Sequence, residues 1–121
     1  MVTVYKRHLS GAADGLAILV AATSTAGTTI HTAVAGTTDG TFDEVWIYAS
    51  NIHTADVTLT IEWGDATSTN NIVMGIPFKQ GLYLIIPGFI LHNGKTVKAF
   101  ASTTNVICIT GWVNTMTDAW G

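Results

Sequence analysis

The side chains best able to do chemistry in this chain are four histidines, eight carboxylates and one cysteine, and their spacing decides what they could do. His8, His31, His53 and His92 stand far apart, with no pair at metal-ligand separation and no cluster of Cys, Asp or Glu beside them. A metal centre would need long-range convergence, so none is expected, and scattered histidines read as surface or turn residues. Asp43 and Glu44 are neighbours; on a strand, neighbours point to opposite faces and cannot share a substrate. Cys108 lies in the run Val106-Ile107-Cys108-Ile109, where a free thiol behaves as a small buried hydrophobe rather than an activated nucleophile. There is no Gly-x-Ser-x-Gly elbow and no phosphate-cradling glycine loop. No catalytic residue and no cofactor is expected.

Trp46, Trp63, Trp112 and Trp120 remain. Aromatic faces stack on pyranose rings, which keeps a sugar-binding module open. Core packing is the favoured reading for Trp63 and Trp112, which fall at apolar strand positions. Trp120 lies one residue from the C-terminus, so order there would mean docking onto the body or a neighbour.

The elements that must position these residues are strands. Asp56-Val57-Thr58-Leu59-Thr60-Ile61-Glu62-Trp63 alternates strictly, with Val57, Leu59, Ile61 and Trp63 on one face and Thr58, Thr60 and Glu62 on the other. Similar segments run over 2–8, 16–23, 28–35, 42–50, 72–76, 82–86, 96–101 and 105–113, about nine strands in all. Turn-forming clusters separate them, and Asn93-Gly94 is the strongest hairpin signal because both residues tolerate the positive φ of a type I′ turn. No segment reads as a helix of useful length. The expectation is an all-β antiparallel sandwich, jelly-roll-like, of eight or nine strands. Residues 1–121 make one domain, with residues 1–40 holding either an N-terminal arm or an extended strand segment.

Charge narrows the partners. Five basic and eight acidic residues give a net charge of −3, which excludes the basic surface that drives phosphate-backbone binding, so nucleic acid is not expected. Lys6-Arg7 ahead of Leu16 to Ala22 faintly resembles a secretory leader, but Asp14 and two glycines interrupt the approach. The longest apolar run, Leu82 to Leu91, contains Pro87 and Gly88 and is about half the length that crosses a bilayer as a helix. The chain reads as soluble, with no membrane partner.

Twenty residues are threonine and only thirteen are charged, yet several strands are apolar on both faces. In Phe42 to Ser50, one face carries Phe42, Glu44, Trp46 and Tyr48 and the other Asp43, Val45, Ile47 and Ala49. Leu82 to Ile86 behaves in the same way, as does Asn105 to Val113, where Val106, Cys108 and Trp112 oppose Ile107, Ile109 and Val113. A solvated sandwich alternates apolar with polar, so such strands need a second cover. Loops or the N-terminal segment could supply it, or a neighbouring subunit in a closed symmetric oligomer. The surplus face is assigned to Val45, Ile47, Tyr83, Ile85, Ile107 and Ile109, or to their opposites; together with Trp120 these six are the candidate subunit or capsid interface.

The stretches Val45-Trp46-Ile47-Tyr48-Ala49-Ser50-Asn51, Val57 to Gly64, Ile85-Ile86-Pro87-Gly88, Asn93-Gly94, Val97 to Ala101 and Gly111-Trp112-Val113 resemble small structural proteins of tailed-bacteriophage virions. The likeness covers about residues 42–115 and is greatest to jelly-roll-type capsid decoration, or cement, proteins. It implies a noncatalytic virion protein on the outer capsid surface, made in the host cytoplasm. It also implies a homo-oligomer, with a trimer favoured, that clamps neighbouring major capsid protein subunits. Two alternatives stand beside it: a carbohydrate- or receptor-binding sandwich module of a virion fibre, and a tail or baseplate subunit.

Overall fold

The computed structural model describes residues 2–118, which form nine strands and one short 3₁₀ turn at Ser68–Asn70. The strands are β1 (Val2–His8), β2 (Ile18–Leu19), β3 (Thr28–Thr32), β4 (Phe42–Asn51), β5 (Val57–Gly64), β6 (Asn71–Ile76), β7 (Tyr83–Leu91), β8 (Thr96–Ala101) and β9 (Ile107–Asp118). They pair antiparallel into two sheets: β1-β9-β4-β7, with β2 alongside β1 on the same edge of β9, and β3-β8-β5-β6. No helix among the described residues is long and apolar enough to cross a membrane.

The pairings β5·β6, β4·β7, β3·β8 and β2·β9 are nested. They describe one long antiparallel ribbon with the β5–β6 turn at its tip. Rolling that ribbon adds the pairings β4·β9 and β5·β8 and closes two packed sheets, the arrangement of a jelly roll. β1 is additional: it pairs with the half of β9 beyond β2, from Trp112 to Asp118.

Alternation decides the core. In β4, Asp43, Val45, Ile47, Ala49 and Asn51 point inward, while Phe42, Glu44, Trp46, Tyr48 and Ser50 are only half-buried on the outer face. Leu59 and Ile61 of β5, Val97 and Ala99 of β8, and Ile107, Ile109 and Val113 of β9 meet them from both sheets. Each fully buried Ile or Leu contributes about 1.5–3 kcal/mol by removal from water.

Two expectations change here, and one of the two covers left open is found. Residues 16–23 contain a strand of only two residues, Ile18–Leu19. Asn93 and Gly94 do take positive φ, 61° and 64°, but the turn carries the chain from β7 in one sheet to β8 in the other, so no hairpin forms there. Part of the outer face of the four-stranded sheet, around Thr60 and Glu62 of β5, is covered by the chain itself. Glu62 and Thr60 point outward from β5 yet are buried, because residues 21–27 cross over the sheet. The Thr25 hydroxyl and the Gly27 amide both donate to the Glu62 carboxylate, and the Ala101 amide donates to the Ala22 carbonyl.

β9 approaches β4 so closely that a Cβ at Gly111 would fall on the Trp46 carbonyl. Gly111→Ala should therefore lower the urea midpoint by the equivalent of about 1–3 kcal/mol, as overpacking does. An unchanged midpoint would mean that the strands do not come this near.

Candidate functional site

The apolar surplus left uncovered lies on the outer face of the five-stranded sheet. The register places Val4, Met116 and Phe42 in one row, Lys6, Asn114, Glu44 and Ile90 in the next, then His8, Trp112, Trp46 and Pro87. Thr110, Tyr48 and Leu84 follow, then Leu19, Cys108 and Ser50. At the centre, Trp46 and Trp112 stack with centroids 5.8 Å apart and planes 15° apart, and the Tyr48 ring also stacks on Trp112 with centroids 5.8 Å apart. Such pairs contribute about 0.5–1.5 kcal/mol beyond the area they bury.

Each of the two tryptophans has a specific hold. Trp46 Nε1–H donates to Glu44 Oε1 at 2.8 Å, and Asn114 Nδ2 donates to the same oxygen at 3.0 Å. Those two hydrogen bonds hold the Glu44 carboxyl below its ordinary range. The Trp46 ring lies over Gly88, where a Cβ would sit 2.8 Å from Cζ2. Lys6 Nζ lies 5.0 Å from the centroid of the Trp112 ring. Leu84, Ile90, Leu19 and Val4 surround this core and are between 43% and 58% exposed. The result is a rigid aromatic centre with an apolar margin and few charges.

The candidate interface residues fall elsewhere. Val45, Ile47, Ile85, Ile107 and Ile109 are buried between the sheets within one chain, so they cannot form a subunit contact. Tyr83 is half-buried against the same core. Trp120 lies outside the described residues. The surplus thus belongs to the opposite faces. The physical reason is shape: β-branched Val and Ile fill the narrow interior, whereas Trp and Tyr keep a polar edge that Glu44 and water can reach. Trp112 and Cys108 move with them, half-buried on the outer face rather than in the core, while Trp63 packs on the core edge against Phe89.

A second cluster is buried, and its members were not singled out together in the sequence. Asp43 Oδ2 accepts from His31 Nε2 at 2.6 Å and from the Val34 amide at 3.2 Å, while Oδ1 accepts from the Thr115 hydroxyl at 2.7 Å. Arg7 Nε in turn donates to Thr115 Oγ1, and Arg7 Nη2 stands 4.0 Å from Asp43. His31 is buried, not a surface or turn residue. Its Nδ1 accepts the Ser10 amide at 3.0 Å, so the ring proton sits on Nε2 and faces Asp43.

Ser10, His31 and Asp43 therefore share one cluster but not the geometry of a nucleophilic triad. The lone pair of His31 is taken by an amide proton, and Ser10 Oγ accepts the Thr32 amide at 2.7 Å, so no base faces the hydroxyl. Arg7, His8, Ser10 and His31 line a shallow cleft of about 260 Å³ above it. Among the described residues, no three His, Cys, Asp or Glu side chains come together in a way that could hold a metal ion. The one available signal for this cluster was a carboxylate, Asp43, on the same strand face as Val45 and Ile47.

Burial raises the Asp43 pKa, but the hydrogen bonds from His31, Thr115 and Val34 outweigh it, and the carboxyl sits below its ordinary 3.8. A depressed folded-state pKa adds stability above the unfolded value, and that stability is lost as pH falls through the folded one. Asp43→Ala leaves the buried His31, Thr115 and Val34 donors unpaired, so it should cost at least about 1–3 kcal/mol at neutral pH and flatten the acid limb of the stability curve. Urea melts at pH 7 and pH 3 check this, and an unchanged acid limb would mean that Asp43 is not the buried ionised group.

Compared with known proteins, the chain matches no family model, no curated protein and no solved structure.

Proposed function

We propose that this chain is a noncatalytic virion structural protein, a head decoration protein of a tailed bacteriophage. In this reading it binds the outer capsid through the outer face of its five-stranded sheet. One observation carries the reading: Trp46, Trp112 and Tyr48 form a stacked aromatic centre on a sheet face where Leu84, Ile90, Leu19 and Val4 stay between 43% and 58% exposed. Tryptophan and tyrosine held rigid in an apolar surround are what protein contacts concentrate at their centres, because little side-chain entropy is lost on docking. Few ions would have to be desolvated there. The jelly-roll frame agrees with the reading, since that architecture recurs in capsid and lectin domains, though fold alone does not assign function.

The same rings favour one other reading, binding of a carbohydrate or receptor by a virion fibre module. Glu44 and Asn114 stand beside the stack and could serve sugar hydroxyls.

Trp112→Ala separates the two. On capsid heads of the source virion stripped of decoration, wild-type protein should bind saturably, and the variant should bind at least about thirtyfold more weakly, the loss of one hot-spot side chain. Unchanged circular dichroism would show that the fold survives. Wild-type protein that ignores heads but labels a glycan array would establish the carbohydrate reading, and failure in both assays would sink this assignment of the outer face.

A further inference from the structure

We propose that β1 is a pairing edge through which two copies of this chain associate, antiparallel and edge to edge, joining their five-stranded sheets into one. The argument starts from how the sheet edges are finished. β7, the far edge of the same sheet, is interrupted by two register shifts and by Pro87, which has no N–H to offer. β3 is short and bulged between Thr29 and His31. Its outer groups are already engaged: the Gly11 amide donates to the Ile30 carbonyl and the Thr32 amide to Ser10 Oγ. β6 is six residues long, contains Gly75, and exposes Val73 as its one large apolar residue more than half exposed.

β1 has none of these backbone devices, and its guards are the exposed cations Lys6 and Arg7. It keeps an unbroken seven-residue register with β9 and contains no Gly or Pro. Among the described residues, its backbone makes no hydrogen bond except those to β9, so every second N–H and C=O faces outward unpaired. Val2, Val4 and Tyr5 are each more than half exposed. The strand is nonetheless firmly placed, because Arg7 ties it to Thr115 on β9 and approaches Asp43 on β4. A fixed, regular, apolar-bearing open edge is a template for another strand.

The strand is self-complementary in one orientation, and charge selects which. A second β1 laid parallel in register would set Lys6 against Lys6 and Arg7 against Arg7, which repels. Laid antiparallel about Tyr5, all seven residues pair: Val2 faces His8, Thr3 faces Arg7 and Val4 faces Lys6, with no like charges opposed. That contact is isologous and closes at two copies. It leaves the Trp46–Trp112–Tyr48 centre free, so it stands or falls separately from the head-binding reading.

Sedimentation across a concentration series should show a reversible species of twice the 12.8 kDa chain mass. Val4→Lys, which sets a cation opposite Lys6, should weaken association at least tenfold with an unchanged thermal melt. Val4→Glu should not weaken it. Tyr5→Lys, at the axis, is a second disrupting variant should the first fail to fold. A monomer at several hundred micromolar, a species of three chain masses, insensitivity to both lysine variants, or equal weakening by Val4→Lys and Val4→Glu would each overturn the proposal.

Discussion

The carboxylate of Asp43, buried and ionised between the sheets, is the constraint on which the rest of this fold hangs. Removing a charge from water costs several kcal/mol, and Coulomb attraction alone rarely offsets that. Here the offset comes from saturation: His31, Thr115 and the Val34 amide all donate to the two oxygens. His31 belongs to β3 in one sheet, while Asp43 and Thr115 belong to β4 and β9 in the other. The sheets can therefore close at this end only in the register that brings all three together. A slip of one residue would strand the charge and turn every core side chain outward. The apolar interior drives collapse, and the polar cluster selects which collapsed arrangement persists.

That selection reaches the periphery. Arg7 donates to the same Thr115 hydroxyl that donates to Asp43, so β1, exposed on both faces, is placed by a polar chain rather than by burial. The Ser10 amide on His31 and the Thr32 amide on Ser10 Oγ continue the chain into the segment after β1. Residues 2–11 are thus joined to the sandwich by the β9 ladder, by the buried Leu9 and by this polar chain.

Much of this architecture was legible in the sequence, and the parts that were not share a cause. The strands over 42–51, 57–64 and 96–101 declare themselves by period-two alternation and bounding turns, both local properties. Which face of β4 looks inward is not local. Asp43 and Glu44 put one carboxylate on each face, and hydrophobicity alone weighs Val45-Ile47 equally with Trp46-Tyr48. The structure resolves the tie through partners distant in sequence: His31 and Thr115 accommodate Asp43, and Asn114 supports Glu44 beside Trp46. The same remoteness hides the role of residues 21–27, whose Thr, Ala and Gly composition suits an edge strand as well as an overlying loop. Their position rests on Glu62, more than thirty residues ahead. Asn93-Gly94 sets the local turn correctly but does not determine whether the strands it joins share a sheet.

The two sheets dispose of their apolar excess in different ways, and the difference locates the exposed chemistry. The four-stranded sheet folds its own chain over part of β5 and satisfies the outward Glu62 with a hydroxyl and an amide, so that face is covered around Thr60 and Glu62 while Thr58 and Val73 stay exposed. On the five-stranded sheet, Trp46 and Tyr48 each stack on Trp112, Glu44 with Asn114 holds Trp46 and Lys6 lies over Trp112, while Leu84 and Ile90 stay open around them. Stacking lowers the cost of exposing tryptophan without removing the rings from reach. A ring immobilised in this way has already lost its rotamer freedom, so a partner arriving at this face gains contact area without ordering it first. The doubly apolar strands therefore do two jobs at once: their Val and Ile faces build the core, and their Trp and Tyr faces form a stacked, half-buried outer surface.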